Sequence, residues 1–220
     1  TSLALMSGTS GNGVDGSIIQ SEGNTRYQVI KDKYFEYDKK IYKNIHYLKE
    51  KIHNVIDLKN FARELADLER QITLFHAKVV KEIAGNQKID IIGFHGQTIY
   101  HNSQEKISKQ LGDGKLLSQL TKKNIVYDFR QNDIRNGGEG APLTPIFHQL
   151  LATQYKLDLP VCILNIGGIS NITIIGEPTG KYGFTSRDIG PGNCLIDSWV
   201  RKNSKQNFDK DGLLAAKGVR

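Results

Sequence analysis

"MSGTSGNGVDGS" (residues 6–17) holds four glycines, four hydroxyl side chains, one Asn and one Asp, directly behind the apolar "LAL" of residues 3–5. A turn between two strands needs one or two glycines, so the surplus calls for a reason. Residues 3–6 and 17–20 read as short strands flanking the segment, and "YQVIKDKYFEY" extends the sheet. Glycine lets a backbone approach a ligand closely and take positive φ. Successive exposed N–H groups form a concave anion site. Hydroxyls add donors, and one acidic residue can hold a magnesium ion that bridges phosphate oxygens.

The same device recurs downstream. "VCILNIGGISNITII" (161–175) reads as two apolar strands pinched by "GGISN". Between the two devices, residues 38–56 are Lys-rich with spaced apolar positions, as in one or two helices. In 59–84, Phe61, Leu65, Leu68, Ile72, Phe75, Val79 and Ile83 make one apolar helix stripe, stopped by Gly85 and Asn86. His76 on that helix reads as a bystander. "IDIIGF" (89–94) and "NIVYDF" (124–129) are short apolar runs of the kind buried in parallel sheets, with a helix at 113–122 between them. "APLTPIFHQLLATQY" is a helix with Pro142 near its first turn. This alternation predicts an α/β fold, with a first lobe over 1–157 and a second over 158–220.

Bulk properties narrow the function. With 38% hydrophobic and 24% charged residues, the 220-residue chain suits a globular protein rather than a disordered one. No apolar run approaches the roughly 18–20 residues of a membrane span, so neither membrane association nor a secretory leader is expected, and a cytoplasmic location is. Cys162 and Cys194 are too few for a disulfide framework and not spaced for zinc. The net charge of +7 is spread over scattered lysines, without an arginine-rich run. It fits an anionic small substrate or plain solubility better than nucleic acid.

Three further stretches carry chemistry. "GFHGQTIYH" (93–101) places His95, Gln97, Thr98 and His101 at the carboxyl end of a buried strand, where open α/β sheets bind ligands. They read as ligand contacts or as polar caps on the strand end. In "YDFRQNDIRNGGEGAPLTP" (127–145), Arg130, Asp133 and Arg135 precede a glycine segment that opens a helix. Arg forks onto anions, or an Asp–Arg pair braces the loop; Glu139 reads as a helix-start acid. In "SRDIGPGNCLIDSW" (186–199), Asp188 ends a strand before a glycine turn into a helix at 193–202. It reads as a general base or as the cap of that helix. The G-x-x-x-x-G-K-[ST] phosphate loop is absent, as are the protein-kinase signatures. Phosphate handling would therefore use two glycine hairpins, one per lobe, as in actin and hexokinase.

Taken together, "MSGTSGNGVDGS", "GFHGQTIYH", "QLGDG", "VYDFRQNDIRNGGEGAPLTPIFH", "LNIGGISNIT", "DIGPGN" and "FDKDG" resemble, in order, the anhydro-N-acetylmuramic acid kinase family. These are sugar kinases of the two-lobed actin/hexokinase-like (ribonuclease H-like) fold, active in bacterial cell-wall recycling. The resemblance implies an amino-sugar substrate, ATP and Mg2+. It implies Asp188 as the catalytic base and Gly8, Thr9, Ser10, Gly11, Asn12, Gly13, Val14 and Asp15 as the first phosphate-binding turn. Gly167, Gly168 and Asn171 match the second turn. His95, Gln97, Arg130 and Asp133 are inferred from placement to line the sugar, and Asp15 to hold the metal. A homodimer or a further C-terminal segment is the expected partner.

Two departures from the family pattern stand out. Its first loop reads S-x-D-G-x-D, whereas this chain has "SGNGVD", with Asn12 in place of a carboxylate. Family members also continue well past the position of Arg220. The chain is thus expected to be a fragment or a shortened product with an incomplete second lobe, which leaves open a remnant that binds the muramyl sugar without phosphorylating it.

Overall fold

A computed structural model describes residues 1–23, 25–176 and 183–218. It divides into two compact units, 1–143 and 144–220. That division precedes the 157/158 boundary read from the sequence, because helix α6 (Pro145–Gln154) packs on strands β8 (Ile169–Ile175) and β9 (Phe184–Pro191).

The first unit opens with an antiparallel meander, β1 (Ser2–Ser7), β2 (Gly13–Ser21) and β3 (Tyr27–Glu36). Helices α1 (Lys39–Lys51), α2 (Val55–Asn60) and α3 (Ala62–Ala84) follow. Then come β4 (Ile91–Asn102), β5 (Ile107–Leu111), α4 (Gly114–Thr121), β6 (Asn124–Tyr127) and α5 (Phe129–Arg135). The sheet order is β3-β2-β1-β4-β5, with β6 also on β4. β1 and β6 both run parallel to β4. Three antiparallel strands feeding a parallel β1-β4-β6 core are the order of the actin/hexokinase-like fold.

Helix starts follow local chemistry. Asp38 accepts from the backbone N–H of Lys40 and Ile41 to cap α1, and Asn54 with Asp57 forms a capping box on α2. The single helix expected over 59–84 is broken at Phe61, whose φ −100, ψ 21 leave the helical range. α3 then buries Leu65, Leu68, Ile72, Val79 and Ile83 against the sheet. β4 does not stop at Phe94. It runs on to Asn102, exchanging β6 for β5 as its neighbour. Pro145, not Pro142, occupies the first turn of α6. Glu139 therefore lies in the preceding loop rather than at a helix start.

The second unit holds α6, the hairpin β7 (Val161–Ile166)–β8, then β9 and α7 (Asn193–Asn203). Its three strands form an antiparallel meander ending in a helix, the sequence of elements that also opens the first unit. The large apolar cluster belongs to the first unit; in the second, Leu164, Ile166, Ile169, Ile196 and Trp199 are exposed.

Ile72 is fully buried at the centre of the α3 stripe. Ile72→Ala should lower unfolding free energy in urea by about 2–5 kcal/mol; a loss under about 1 kcal/mol would mean that α3 does not hold the core.

Candidate functional site

The glycine segment that opens the chain is half turn and half strand. The turn proper spans 8–12 and is closed by Gly11 N–H on Gly8 O at 3.1 Å. Gly11 has φ +70, and a Cβ there would lie 2.8 Å from Ile45 Cγ2. Gly13 and Gly16 sit inside β2, where a Cβ would collide with Phe35 O at 2.3 Å or press on Ile83 Cδ1 at 2.9 Å. Val14 is wholly buried. Three of the four glycines thus serve packing or backbone geometry. Gly8 differs: a Cβ there would meet only Ser10 Oγ, at 3.7 Å, so nothing inside the fold demands glycine.

The base of this turn is tied by buried polar groups. Ser7 ends β1 fully buried, and its Oγ lies 2.8 Å from Tyr37 Oη and 3.2 Å from His76 Nε2. His76 Nδ1 is 2.8 Å from Ile72 O. A carbonyl only accepts, so Nδ1 carries the proton and Nε2 accepts from Ser7. Ser7 in turn accepts from Tyr37. Burial drives the His76 pKa down to about 4 and raises that of Tyr37, so both stay neutral. His76 is therefore a fully used core residue, not an exposed one. Beside Ser7, fully buried Gln97 donates its Nε2 to Gly8 O at 3.0 Å, while its Oε1 has no partner among the described residues. Lys49 Nζ donates to Thr9 O. Asn12 O accepts from Tyr37 N–H at 3.0 Å, and Asn12 Oδ1 is likewise buried without a partner among the described residues. Asp15 reaches solvent from β2, opposite Met6 and Tyr34. Partial desolvation raises its pKa, and it helps to push the Tyr34 phenol up to about 12, after burial and Glu36.

His95, Gln97, Thr98 and His101 lie within β4 rather than beyond its end. Between Phe94 and Gln97 the strand bulges, since Leu5 and Ser7 of β1 face Phe94 and Gln97. Gly96, at φ +71, absorbs the bulge; a Cβ there would sit 2.5 Å from Leu111 O. His95 Nδ1 donates to Gly96 O at 2.7 Å, and Nε2 accepts from Arg130 Nε and Nη2 at 3.2 and 3.0 Å. Burial and the adjacent guanidinium lower its pKa to about 4, so its one lone pair already serves Arg130. His101 meets Ser108 at 3.0 Å, and Thr98 takes Gln110 at 3.3 Å. Among the described residues, no cluster of three His, Cys, Asp or Glu could hold a metal.

Arg130 and Asp133 both hold Gly140. Arg130 Nη1 donates to its carbonyl at 2.7 Å, and Asp133 Oδ2 accepts from its N–H at 2.8 Å. This is the bracing alternative, reached through the backbone. A cavity of about 370 Å³ opens beside them, lined by His95, Gln110, Tyr127, Asp128, Gln131 and Arg135 among others.

In the second unit, Asp188 sits inside β9, exposed, directly opposite Asn171 of β8. The N-cap of α7 is Gly192, with no side-chain bond, so Asp188 is not its cap. Ile189 bulges out of the ladder beside Asp188, and Gly190 follows at φ +141. Asn171 Oδ1 is buried without a partner among the described residues. The β7–β8 turn is lashed to α7 mostly by backbone: Gly168 O accepts from Gly192 N–H at 2.9 Å and Gly167 O from Asn193 N–H at 2.7 Å, while the Asn193 side chain donates Nδ2 to Ile166 O at 3.2 Å. A Cβ on Gly192 would lie 2.3 Å from Gly167 O. Gly167 itself repeats Gly8, with only ordinary contacts around the missing Cβ.

The family model "Anhydro-N-acetylmuramic acid kinase" matches residues 1–219. A protein of that name from Pelagibacter ubique is 58% identical over 214 residues, 96% of this chain and 57% of its own length. Namesakes from Agrobacterium fabrum and Gluconobacter oxydans are each 38% identical over 99% of this chain and 60% of theirs. The chain belongs to the anhydro-N-acetylmuramic acid kinase family, and it spans a little under two thirds of the length of these relatives.

Neutral burial of His76 has a pH signature. The unfolded imidazole binds a proton near pH 6.5 and the folded one only near 4. The unfolded state therefore holds more protons in between, and stability falls as pH drops through that window, by at most about 1.4 kcal/mol per pH unit per group. His95 adds in the same direction. Melting curves between pH 7 and 5 should fall less steeply for His76→Gln than for the parent; an unchanged slope would contradict neutral burial.

Proposed function

We propose that this family member is an ATP-dependent kinase that opens the anhydro bridge of 1,6-anhydro-N-acetylmuramic acid and phosphorylates the freed O6. The reaction would serve cell-wall recycling in the cytoplasm; among the described residues no helix is long and apolar enough to cross a membrane. One observation carries the reading. Each unit has a glycine turn with one glycine that the fold does not require, Gly8 and Gly167, and beside each turn lies a buried amide oxygen without a partner among the described residues, on Asn12 and Asn171. The bare backbone lets N–H groups approach a polyphosphate chain closely, and the two amide oxygens, which only accept, suit metal-bound water or a sugar hydroxyl beside it.

In this reading Asp188 accepts a proton from the water that attacks C1. The C1–O6 bond breaks, O6 attacks the γ-phosphorus, and the bond from that phosphorus to the bridging oxygen of ADP breaks. Asp188 stands exposed beside a bulge, free of a capping bond, which leaves its carboxylate available as a base. The amides of the turn 8–12 and of Gly167 and Gly168 hold the phosphates. Gln97 bridges the first turn and the sugar: its amide N–H fixes Gly8 O, and its unfilled Oε1 accepts from a hydroxyl. His95, Arg130 and Asp133 act one step back, shaping the wall that faces the sugar. Asp15 fits a magnesium ion, since a desolvated carboxylate with a raised pKa gains from a nearby cation. Held by Asp15, the ion would supply positive charge that offsets the charge on the phosphates.

Calorimetric titration with Mg-ATP and with the anhydro sugar tests the reading. Heat from both supports the kinase, heat from the sugar alone supports a sugar-binding remnant, and heat from neither overturns the proposal. Asp188→Asn should cut turnover at least about a hundredfold while keeping sugar affinity within a few-fold; full-rate phosphorylation by that variant would remove Asp188 from the chemistry. Asn12→Asp restores the family's carboxylate and should tighten Mg-ATP binding, by about 1 kcal/mol or more if it meets the metal or its waters. Equal affinity in the two proteins would exclude position 12 from the metal site.

A further inference from the structure

Asp128 is the residue whose geometry the fold leaves unexplained. It follows β6 directly, at the N-cap of α5, with φ 59 and ψ 43. An Asp at an N-cap ordinarily accepts from the helix N–H groups, but in this left-handed conformation the side chain caps nothing. The ion pairs among the described residues join the Thr1 amine to Asp90, Lys33 to Glu82 and Lys109 to Glu69, and Asp128 takes part in none of them. Asp128 is exposed, and a non-glycine residue held in the left-handed region is one of the backbone states that cluster at functional sites.

Its surroundings say what it could meet. Asp128 lines the 370 Å³ cavity of the first unit beside the exposed ring of Tyr127 and the amide of Gln131. Gln110 closes another side. Its Nε2 is spent on Ser108 Oγ at 2.7 Å and Thr98 Oγ1 at 3.3 Å, which leaves Oε1 buried and without a partner among the described residues. The cavity therefore offers a carboxylate, an unfilled amide oxygen, a further amide and an aromatic surface. That set matches a polyhydroxylated ring, whose hydroxyl and amide N–H groups are donors and whose C–H faces pack on aromatic rings.

We propose that this cavity is a subsite for the amino sugar and that Asp128 contacts the sugar directly, accepting from a ring hydroxyl or the acetamido N–H, with Gln110 Oε1 taking a second donor. This rests on the kinase reading above and adds to it a direct role for Asp128, a residue of the "VYDFRQND" stretch given no role there, and a cavity wall that extends from His95.

The left-handed backbone provides a clean test. Glycine adopts that conformation without strain, so Asp128→Gly removes the carboxylate while easing the turn. Titration of the 220-residue chain with 1,6-anhydro-N-acetylmuramic acid, paired with thermal melts, should find Asp128→Gly melting no lower than the parent yet binding the sugar about tenfold or more weakly, as for loss of a hydrogen bond to a charged group. Asp128→Asn keeps an acceptor and should fall between the two. Unchanged affinity in both variants, with sugar bound by the parent, overturns the subsite and leaves the kinase reading standing. Absence of sugar binding by the parent overturns both.

Discussion

The hydroxyl of Ser7 is the point on which the first unit turns. It stands where β1 leaves the sheet, accepts a hydrogen bond from the Tyr37 phenol and donates one to His76 Nε2. Buried polar groups cost free energy unless every member is satisfied, so this chain of hydrogen bonds fixes three side chains from separate parts of the unit at once. Gln97 sits beside Ser7 in the β1–β4 register and carries the constraint one residue further, onto the Gly8 carbonyl. The turn above is flexible by composition and fixed by its base. Under the proposed function such a loop would gain from that division, because pre-set donors need not be ordered at the moment of binding.

Much of this is legible in the residues alone. The stripe from Leu65 to Ile83 gives α3, the apolar runs at 89–94 and 124–129 give parallel strands, and the paired glycine hairpins give the repeated meander. The failures share a cause: along a sequence, glycine looks like an interruption. Gly96 is instead the bulge residue that lets β4 continue and change neighbours, and Gly13 and Gly16 are strand positions crowded by Phe35 and Ile83. Whether a glycine ends a strand or bends it depends on what lies across from it, and one sequence does not carry that. Phe61 is a similar case, since an apolar residue in phase with the stripe gives no sign of its broken helical geometry.

Site residues divide the same way. Motif position singles out His95, Arg130 and Asp133 without revealing what they do. In the fold, Arg130 holds His95, and Arg130 and Asp133 together brace the Gly140 backbone. Asp128, two residues before Arg130, lies in the same quoted stretch, but nothing in the sequence separates it from its neighbours. Its distinction is a backbone angle, and Lys106, Lys122, Lys156 and Asp211 share positive φ without any pattern around them. Composition can suggest where glycine relieves strain; it does not reveal where an ordinary residue endures it.

The two hairpins use one shape and two kinds of support. In the first unit side chains hold the turn, Gln97 on Gly8 and Lys49 on Thr9, with Ser7 beneath. In the second, backbone does most of the holding: the Gly167 and Gly168 carbonyls take the first N–H groups of α7, Asn193 adds one side-chain bond to Ile166 O, and Gly192 is present because any side chain there would strike Gly167. Those bonds also occupy donors at the start of a helix that would otherwise seek an anion. In the proposed function, ligand recognition in the second unit would then fall to the outer face of the turn, with Asn171 and Asp188 beside it. The contrast sets where change is tolerated. Side-chain supports can be exchanged for others of similar reach, whereas the close backbone approach at Gly192 admits only glycine.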